Sequence, residues 1–401
     1  MIRIKVKLTE ITRLKQWKNL PISELNSEGF PVYGANGIIG RYSEYNHEFS
    51  TLAITCRGAT CGTINITEPK SYITSNAMAL DDLDENIDQK FLYYTLKRRG
   101  FKDVISGSAQ PQITREGLKN IELDIPKFKS DQIYIANILS QAENLIALRK
   151  ESIRLLDEFL KSTFLEMFYV NPEAVNWKEV KFEELADKKK GSMRTGPFGS
   201  SLLHGEFTEL GDVKVLGIDN VVTNRFDWKR SRCITNEKFL ELKRYQVFPN
   251  DVLISIMATL GRTAVVPKHI PLCINSKHLA AITLDLKIAN PYFVSFAFYN
   301  HPSIVRQMVS NVKGAIMDGL NLTIIRNIKL KCPPIEIQNK FGEIFENTEA
   351  LKTQYQQSLQ ELENLYGSLS QRAFKGELRA KAGEMMMAAE AKVTYQNKTN
   401  S

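Results

Sequence analysis

Histidine is the residue that most readily does chemistry near neutral pH, and the chain has five: His47, His204, His269, His278 and His301. None stands in the HxxxH or HExxH spacing that puts two imidazoles on one helical face around a metal. The five cysteines, Cys56, Cys61, Cys233, Cys273 and Cys332, contain no CxxC pair, so neither a zinc knot nor a disulfide framework is expected. Phosphate-cradling loops of the GxxxxGK[ST] type are missing, and "TGPFGSS" (Thr195 to Ser201) carries glycine without the lysine. Asn290-Pro291-Tyr292 is close to the tetrapeptide with which amino-methyltransferases hold a base. It lacks the second proline and has no glycine-rich S-adenosylmethionine loop beside it, so Pro291 reads as a helix start. No catalytic residue and no metal ligand is assigned.

What the residue types do offer is recognition. Loops rich in Arg, Lys, Asn, Gln and Gly recur: "PVYGANGIIGRY" from Pro31, "SGSAQPQITRE" from Ser106, "DKKKGSMRTGPFGSS" from Asp187, "NRFDWKRSR" from Asn224 and "INSKHL" from Ile274. Such side chains donate to phosphates and read base edges, and glycine lets a backbone approach closely. The formal charge of +8 and a pI near 9.0 favour a polyanionic partner, nucleic acid first. The candidate DNA-binding residues are Tyr33, Asn36, Arg57, Gln110, Gln112 and Arg115 in the first half. In the second they are Lys190, Arg194, Phe198, Ser200, Arg262, Asn275, Lys277 and Lys313.

These loops need elements to hold them, and the elements come twice. Residues 132 to 168 align without a gap on 338 to 374, with eight identities, among them Gln132/Gln338, Glu143/Glu349 and Phe168/Phe374. Chance would supply roughly two, so the chain is an internal duplication. Both stretches carry apolar residues alternately three and four apart, the heptad signature of a coiled coil. The seam is expected to include Ile138, Leu145, Leu156 and Phe159 in one helix and Ile344, Leu351, Leu362 and Leu365 in the other. The segments between them mix alternating apolar runs with glycine turns, as in "TLAITCRGATCGTINI" and "DVLISIMATLGRTAVVP", and read as hairpins of α+β modules.

Geometry then constrains the arrangement. A helix of 37 residues is about 55 Å long. The eight residues Tyr169 to Asn176 reach about 28 Å at most, too short to bring the second module back to the first. The expected architecture is therefore α+β with pseudo-two-fold symmetry, two recognition modules separated by a long antiparallel two-helix coiled coil. The boundaries are 1–130 and 177–335 for the modules, 131–170 and 336–378 for the helices, and 379–401 for a frayed tail.

Module, long helix, module, long helix is an order that resembles the specificity subunit of type I restriction–modification systems. "YGANGIIG" (Tyr33 to Gly40), "TGPFGSSL" (Thr195 to Leu202) and "AFKGEL" (Ala373 to Leu378) are phrases similar to those of that family, over about residues 10 to 378. The resemblance implies a non-catalytic subunit in which each module is a target recognition domain for one half of an asymmetric bipartite site in double-stranded DNA. The helices would set the gap and dock two modification (methyltransferase) subunits, with restriction (translocase and nuclease) subunits added. It also implies that this chain binds no cofactor itself, S-adenosylmethionine, ATP and Mg belonging to those partners. No apolar run of about 18 residues marks a membrane segment, and the charged, alternating start is not a signal peptide, so a cytoplasmic place is expected. Competing readings are a coiled-coil scaffold presenting two protein-binding modules, a self-sufficient nuclease or methyltransferase, and a specificity subunit of a related phage-defence system.

Overall fold

Leu52–Thr55 and Val252–Ser255 are each buried at all four positions, which suits an interior strand and not an edge. The computed structural model, which describes residues 1–35, 37–107, 109–228, 232–313 and 319–378, makes both of them interior strands of four-stranded sheets. The chain divides into two compact units, Met1–Lys150 with the chain from Gln357 onward, and Glu151–Gln356.

In the first unit β5 (Leu52–Thr55) lies between β6 (Ile64–Ile66) and β8 (Ala77–Asp81), and β2 (Arg13–Gln16) completes an antiparallel sheet. A three-stranded sheet pairs β3 (Phe30–Gly34) antiparallel with β4 (Gly37–Tyr42) and parallel with β7 (Tyr72–Ile73). β1 (Arg3–Lys7) pairs with β11 (Glu122–Pro126), and β9 (Ile105–Ser106) with β10 (Gln112–Ile113). Leu8, Ile54, Met78, Phe91 and Leu92, all fully buried, form the centre of its core.

The second unit repeats these sheets, except that the β9–β10 pair has no counterpart among the described residues. β16 (Val252–Ser255) lies between β17 (Thr263–Val265) and β19 (Leu279–Ile282), with β13 (Met193–Thr195) at the edge. β14 (Val213–Leu216) pairs antiparallel with β15 (Cys233–Ile234) and parallel with β18 (Cys273–Asn275), and β12 (Lys178–Lys181) with β20 (Lys329–Cys332). Its core is aromatic, with Phe164, Phe182, Phe293, Phe298 and Phe341 fully buried. The α+β class and the doubled module–helix order are those expected from the sequence. All five cysteines are free thiols, and burial pushes Cys56 up to about 11 and Cys273 up to about 12.

Two long helices, Lys129–Phe168 and Ile335–Phe374, contain 40 residues each, about 60 Å of helix. The identity of Gln132 and Gln338 now has a cause. Gln132 is buried, accepts from the Asp88 amide at 2.8 Å and donates to the Pro126 carbonyl at 3.0 Å. Gln338 does the same for the Asn290 amide at 2.9 Å and the Pro333 carbonyl at 2.8 Å. Each glutamine bolts the first turn of a long helix to the N-cap of a shorter one, Gln89–Arg99 or Pro291–Asn300.

Within each unit the two long helices run antiparallel. In the first, Tyr366 donates to Glu143 and Lys150 pairs with Glu363; in the second, Lys352 pairs with Asp157 and Phe341 packs on Phe164. The seam differs from the expected one. It follows Leu139, Ala142, Ile146, Ile153, Leu156 and Leu160 on one helix, and Phe345, Thr348, Lys352, Leu359, Leu362 and Tyr366 on the other. Leu156, Leu362, Ile138 and Ile344 are part-buried as expected, but Leu145 and Phe159 are half exposed, as is Leu365, and Leu351 faces solvent too. Adjacent pairs such as Leu145–Ile146 and Phe159–Leu160 satisfy a three–four count equally well. The choice falls where the facing helix offers Tyr366 and Lys352, amphipathic residues that bury a stem and satisfy a polar tip. The tail 379–401 lies outside the described residues.

Candidate nucleic-acid interface

In the first unit the loop after β5 closes on itself, the Thr55 amide donating to the Thr63 carbonyl and the Gly62 amide to the Thr55 carbonyl. Gly62 sits at φ +90°, a left-handed conformation that a β-carbon disfavours. Neighbouring loops are tied to it. The Ile113 amide donates to Cys56, the Gly58 amide to Pro111, and the Thr60 hydroxyl to the Ala35 carbonyl at the β3–β4 tip. Arg57 and Gln112 thus lie on bridged segments with Gln110 close by, all three exposed. Their side chains make no hydrogen bond among the described residues. Arg115, also exposed, opens the short helix Arg115–Lys119, which Thr114 caps. Asn36 lies outside the described residues.

The second unit builds the same loop with the same bonds. Its Ser255 amide donates to Arg262, its Gly261 amide to Ser255, and its Leu320 amide to Ile256, where the first unit has Ile113 donating to Cys56. Arg262 and Lys277 are exposed there, as are Lys190, Phe198 and Ser200 on the segment around β13. Gly196 explains the "TGPFG" phrase. A β-carbon on it would come within 2.2 Å of the Ser276 backbone, so this loop docks only with glycine. Of Lys313, only its place as the last residue of the helix Pro302–Lys313 is described.

Three expected contacts are structural instead. Tyr33 is 6% exposed, packs with Ile73, Ala77 and Ala79, and its hydroxyl accepts the Glu68 amide at 3.1 Å; burial raises its pKa. By the parallel β3–β7 and β14–β18 registers, Tyr33 matches the buried Leu216, and Asn275 matches the buried Ile73. Asn275 is fully buried, and its amide donates to the Leu279 carbonyl at 3.0 Å. Arg194 is only 8% exposed. It pairs with the fully buried Asp251 and donates to Gln246 at 2.8 Å and to the Thr283 hydroxyl at 2.9 Å. A guanidinium with its donors committed inward is not available to a phosphate.

Other features lie in the basic phrase from Asn224, none of whose residues was among the candidate contacts. The tip between β14 and β15 is a long insertion, where β3 and β4 are joined by two residues. It carries an edge-to-face pair, Phe226 and Trp228, with Trp228 about half exposed, and Arg232 paired with Asp219. Arg225, from the same basic phrase, does not face outward: it holds Asp157 at 2.7 Å and Glu349 at 2.5 Å beside a cleft of about 500 Å³. Among the described residues no group of three or more His, Cys, Asp or Glu could hold a metal, and no helix is long and apolar enough to cross a membrane.

A family model described as the type I restriction modification DNA specificity domain matches residues 4–158 and 174–364. The EcoBI type I restriction enzyme specificity subunit of Escherichia coli is 27% identical over 172 residues, 42% of this chain and 36% of that one. The chain thus spans little more than a third of that relative. The MjaIX specificity subunit of Methanocaldococcus jannaschii is 23% identical over 321 residues, 74% of this chain and 70% of that one. The crystal structure of a type I restriction–modification S subunit from M. genitalium superposes with a TM-score of 0.63 at 19% identity, covering 93% of this chain and 96% of that one.

Proposed function

The chain belongs to the type I restriction modification DNA specificity family, and from that premise we propose that it is the non-catalytic, DNA-reading subunit of a type I restriction–modification complex. Each unit reads one half of a bipartite site in double-stranded DNA. The observation that carries this reading is the loop cluster built twice on one strand topology, with exposed Arg57, Gln110 and Gln112 in one unit and Arg262 and Lys277 in the other. Lysine and arginine supply most of the affinity through phosphates, which makes binding salt-dependent. Asparagine, glutamine and arginine supply sequence choice. Different side chains in the two clusters mean unlike half-sites.

Partners dock on the helices. Leu145, Leu148 and Leu365 in the first unit, and Leu155, Phe159 and Leu351 in the second, are exposed apolar side chains outside the seam. Such a surface suits helical partners, here two modification subunits. S-adenosylmethionine, ATP and Mg belong to the partner subunits, and the complex works in the cytoplasm, where the DNA is. Sequencing of methylated positions in a host expressing this chain with its modification partner tests the reading. The expected result is one motif with two unlike halves and a fixed gap. A single uninterrupted motif, or no methylation dependent on this chain, would refute it.

A further inference from the structure

The turn that leads into β8 and the turn that leads into β19 are the same turn. The Ala77 amide donates to Thr74 at 3.1 Å, and the Leu279 amide to Ser276 at 3.1 Å. Thr74 donates its amide to Tyr33, and Ser276 to Leu216, at equivalent places on the parallel strand pairs. The Cys56 amide donates to the Asn76 carbonyl at 2.8 Å, and the Ile256 amide to the His278 carbonyl at 2.9 Å. Ser75 therefore matches Lys277, and Asn76 matches His278. The correspondence is invisible to a search for identical residues, because none of these four is shared.

Asn76 is placed against the residues assigned to DNA. Its carbonyl holds Cys56, whose own carbonyl holds Ile113, so Asn76, Arg57 and Gln112 come from three segments bonded side by side. Ser75 is occupied, its carbonyl accepting from Gln16 and its hydroxyl donating to Asn19. Asn76 is half-buried; its backbone N–H donates to the Thr74 hydroxyl at 3.4 Å, but its side-chain amide makes no hydrogen bond among the described residues, and neither does the half-buried His278 ring. A half-buried amide and imidazole with idle donors and acceptors, on a turn fixed by backbone bonds on both sides, are pre-positioned for a ligand with polar edges.

Resting on the reading above, we propose that Asn76 and His278 are equivalent base-reading residues, each setting part of the sequence its own unit accepts. An asparagine amide offers one donor and one acceptor, the complement of adenine's major-groove edge. Lys277 beside His278 offers two donors, an ammonium and a ring N–H, the complement of the two acceptors of guanine. Burial, with Lys277 and Arg232 nearby, holds the His278 ring below its ordinary pKa, so at neutral pH one nitrogen carries a proton and the other accepts.

The test uses the full chain with its modification partner in the host, with Asn76→Ala, Asn76→Ser, His278→Asn and His278→Gln, read out by sequencing methylated positions. Each Asn76 variant is expected to relax one base pair in one half of the motif, with discrimination falling roughly ten- to a hundredfold. Each His278 variant is expected to relax one base pair in the other half, and the gap stays constant. Melting temperature of the purified chain separates a misfolded variant from a reading defect, and two substitutions at each position keep one folded variant available. An unchanged motif in the folded variants overturns the proposal, and so does relaxation of the same half by both residues. A uniform loss of methylation without relaxation also overturns it, since that marks a phosphate contact. Absence of a bipartite motif in the wild type would instead overturn the function on which the proposal rests.

Discussion

Removing the Arg194 side chain separates a structural arginine from a DNA-contacting one. Arg194 faces Asp251, which is completely buried and also accepts from the Phe248 amide at 2.8 Å and the Thr283 hydroxyl at 2.5 Å. Burial raises the Asp251 pKa, with Arg194, Thr283 and Phe248 opposing it. Arg194→Ala leaves that carboxylate without its counter-charge, and also leaves the Gln246 carbonyl without its guanidinium donor. Breaking a buried pair from one side costs about 3–5 kcal/mol. For a unit of this size that corresponds to a melting temperature lower by about 6–20 °C. A raised carboxyl pKa means the ionised form is penalised in the folded state, and the penalty eases as pH falls through the folded pKa. Without the arginine the penalty is larger, so the gap between variant and wild type should narrow on acidification. Thermal melts of the full chain at several pH values measure this, alongside DNA affinity of the folded variant. A variant that melts like the wild type yet loses affinity with a shallower salt dependence would refute the assignment and restore Arg194 to the DNA surface.

Gln132→Ala and Gln338→Ala should each destabilise the chain by about 1–3 kcal/mol, since each strands a buried amide and carbonyl, and denaturant melts should give similar losses for the two. Glu143 is driven up by burial, but Lys97, Tyr94 and Tyr366 outweigh this and hold it below the ordinary glutamate range. Its contribution is therefore present above the unfolded pKa and lost as pH falls through the folded one. Glu143→Gln should lower stability at neutral pH and flatten the acid limb of a pH–stability curve. Leu145→Lys with Leu365→Lys should change stability by less than about 0.5 kcal/mol each, as exposed substitutions do. The same pair should weaken co-purification of a modification subunit, and undiminished co-purification would place the docking surface elsewhere.

Several features were legible in the residues alone because they are local or covalent. Period-3.5 patterning over the two long helices, the gapless repeat, and the short Tyr169 to Asn176 connection are properties of spacing, and spacing survives without a fold. Exposed loop arginines and glutamines such as Arg57, Arg262 and Gln112 were legible as well, since polar side chains between glycine turns have few other places to go.

Tertiary structure decided which of those residues face outward. Arg194 and Asp251 are 57 residues apart, and Tyr366 and Glu143 are 223 apart. No window of sequence contains both partners of either pair, so an arginine destined for a buried carboxylate looks like one destined for a phosphate. The helix seam turned on the same point: Leu145 and Ile146 are equally apolar, and only the facing Tyr366 and Lys352, which carry their polar tips to Glu143 and Asp157, tell which stripe is covered. The match of Asn76 with His278 likewise emerged only from backbone bonds to Cys56 and Ile256. Periodicity and covalent reach are set along the chain. Burial is set across it, by groups that become neighbours only on folding.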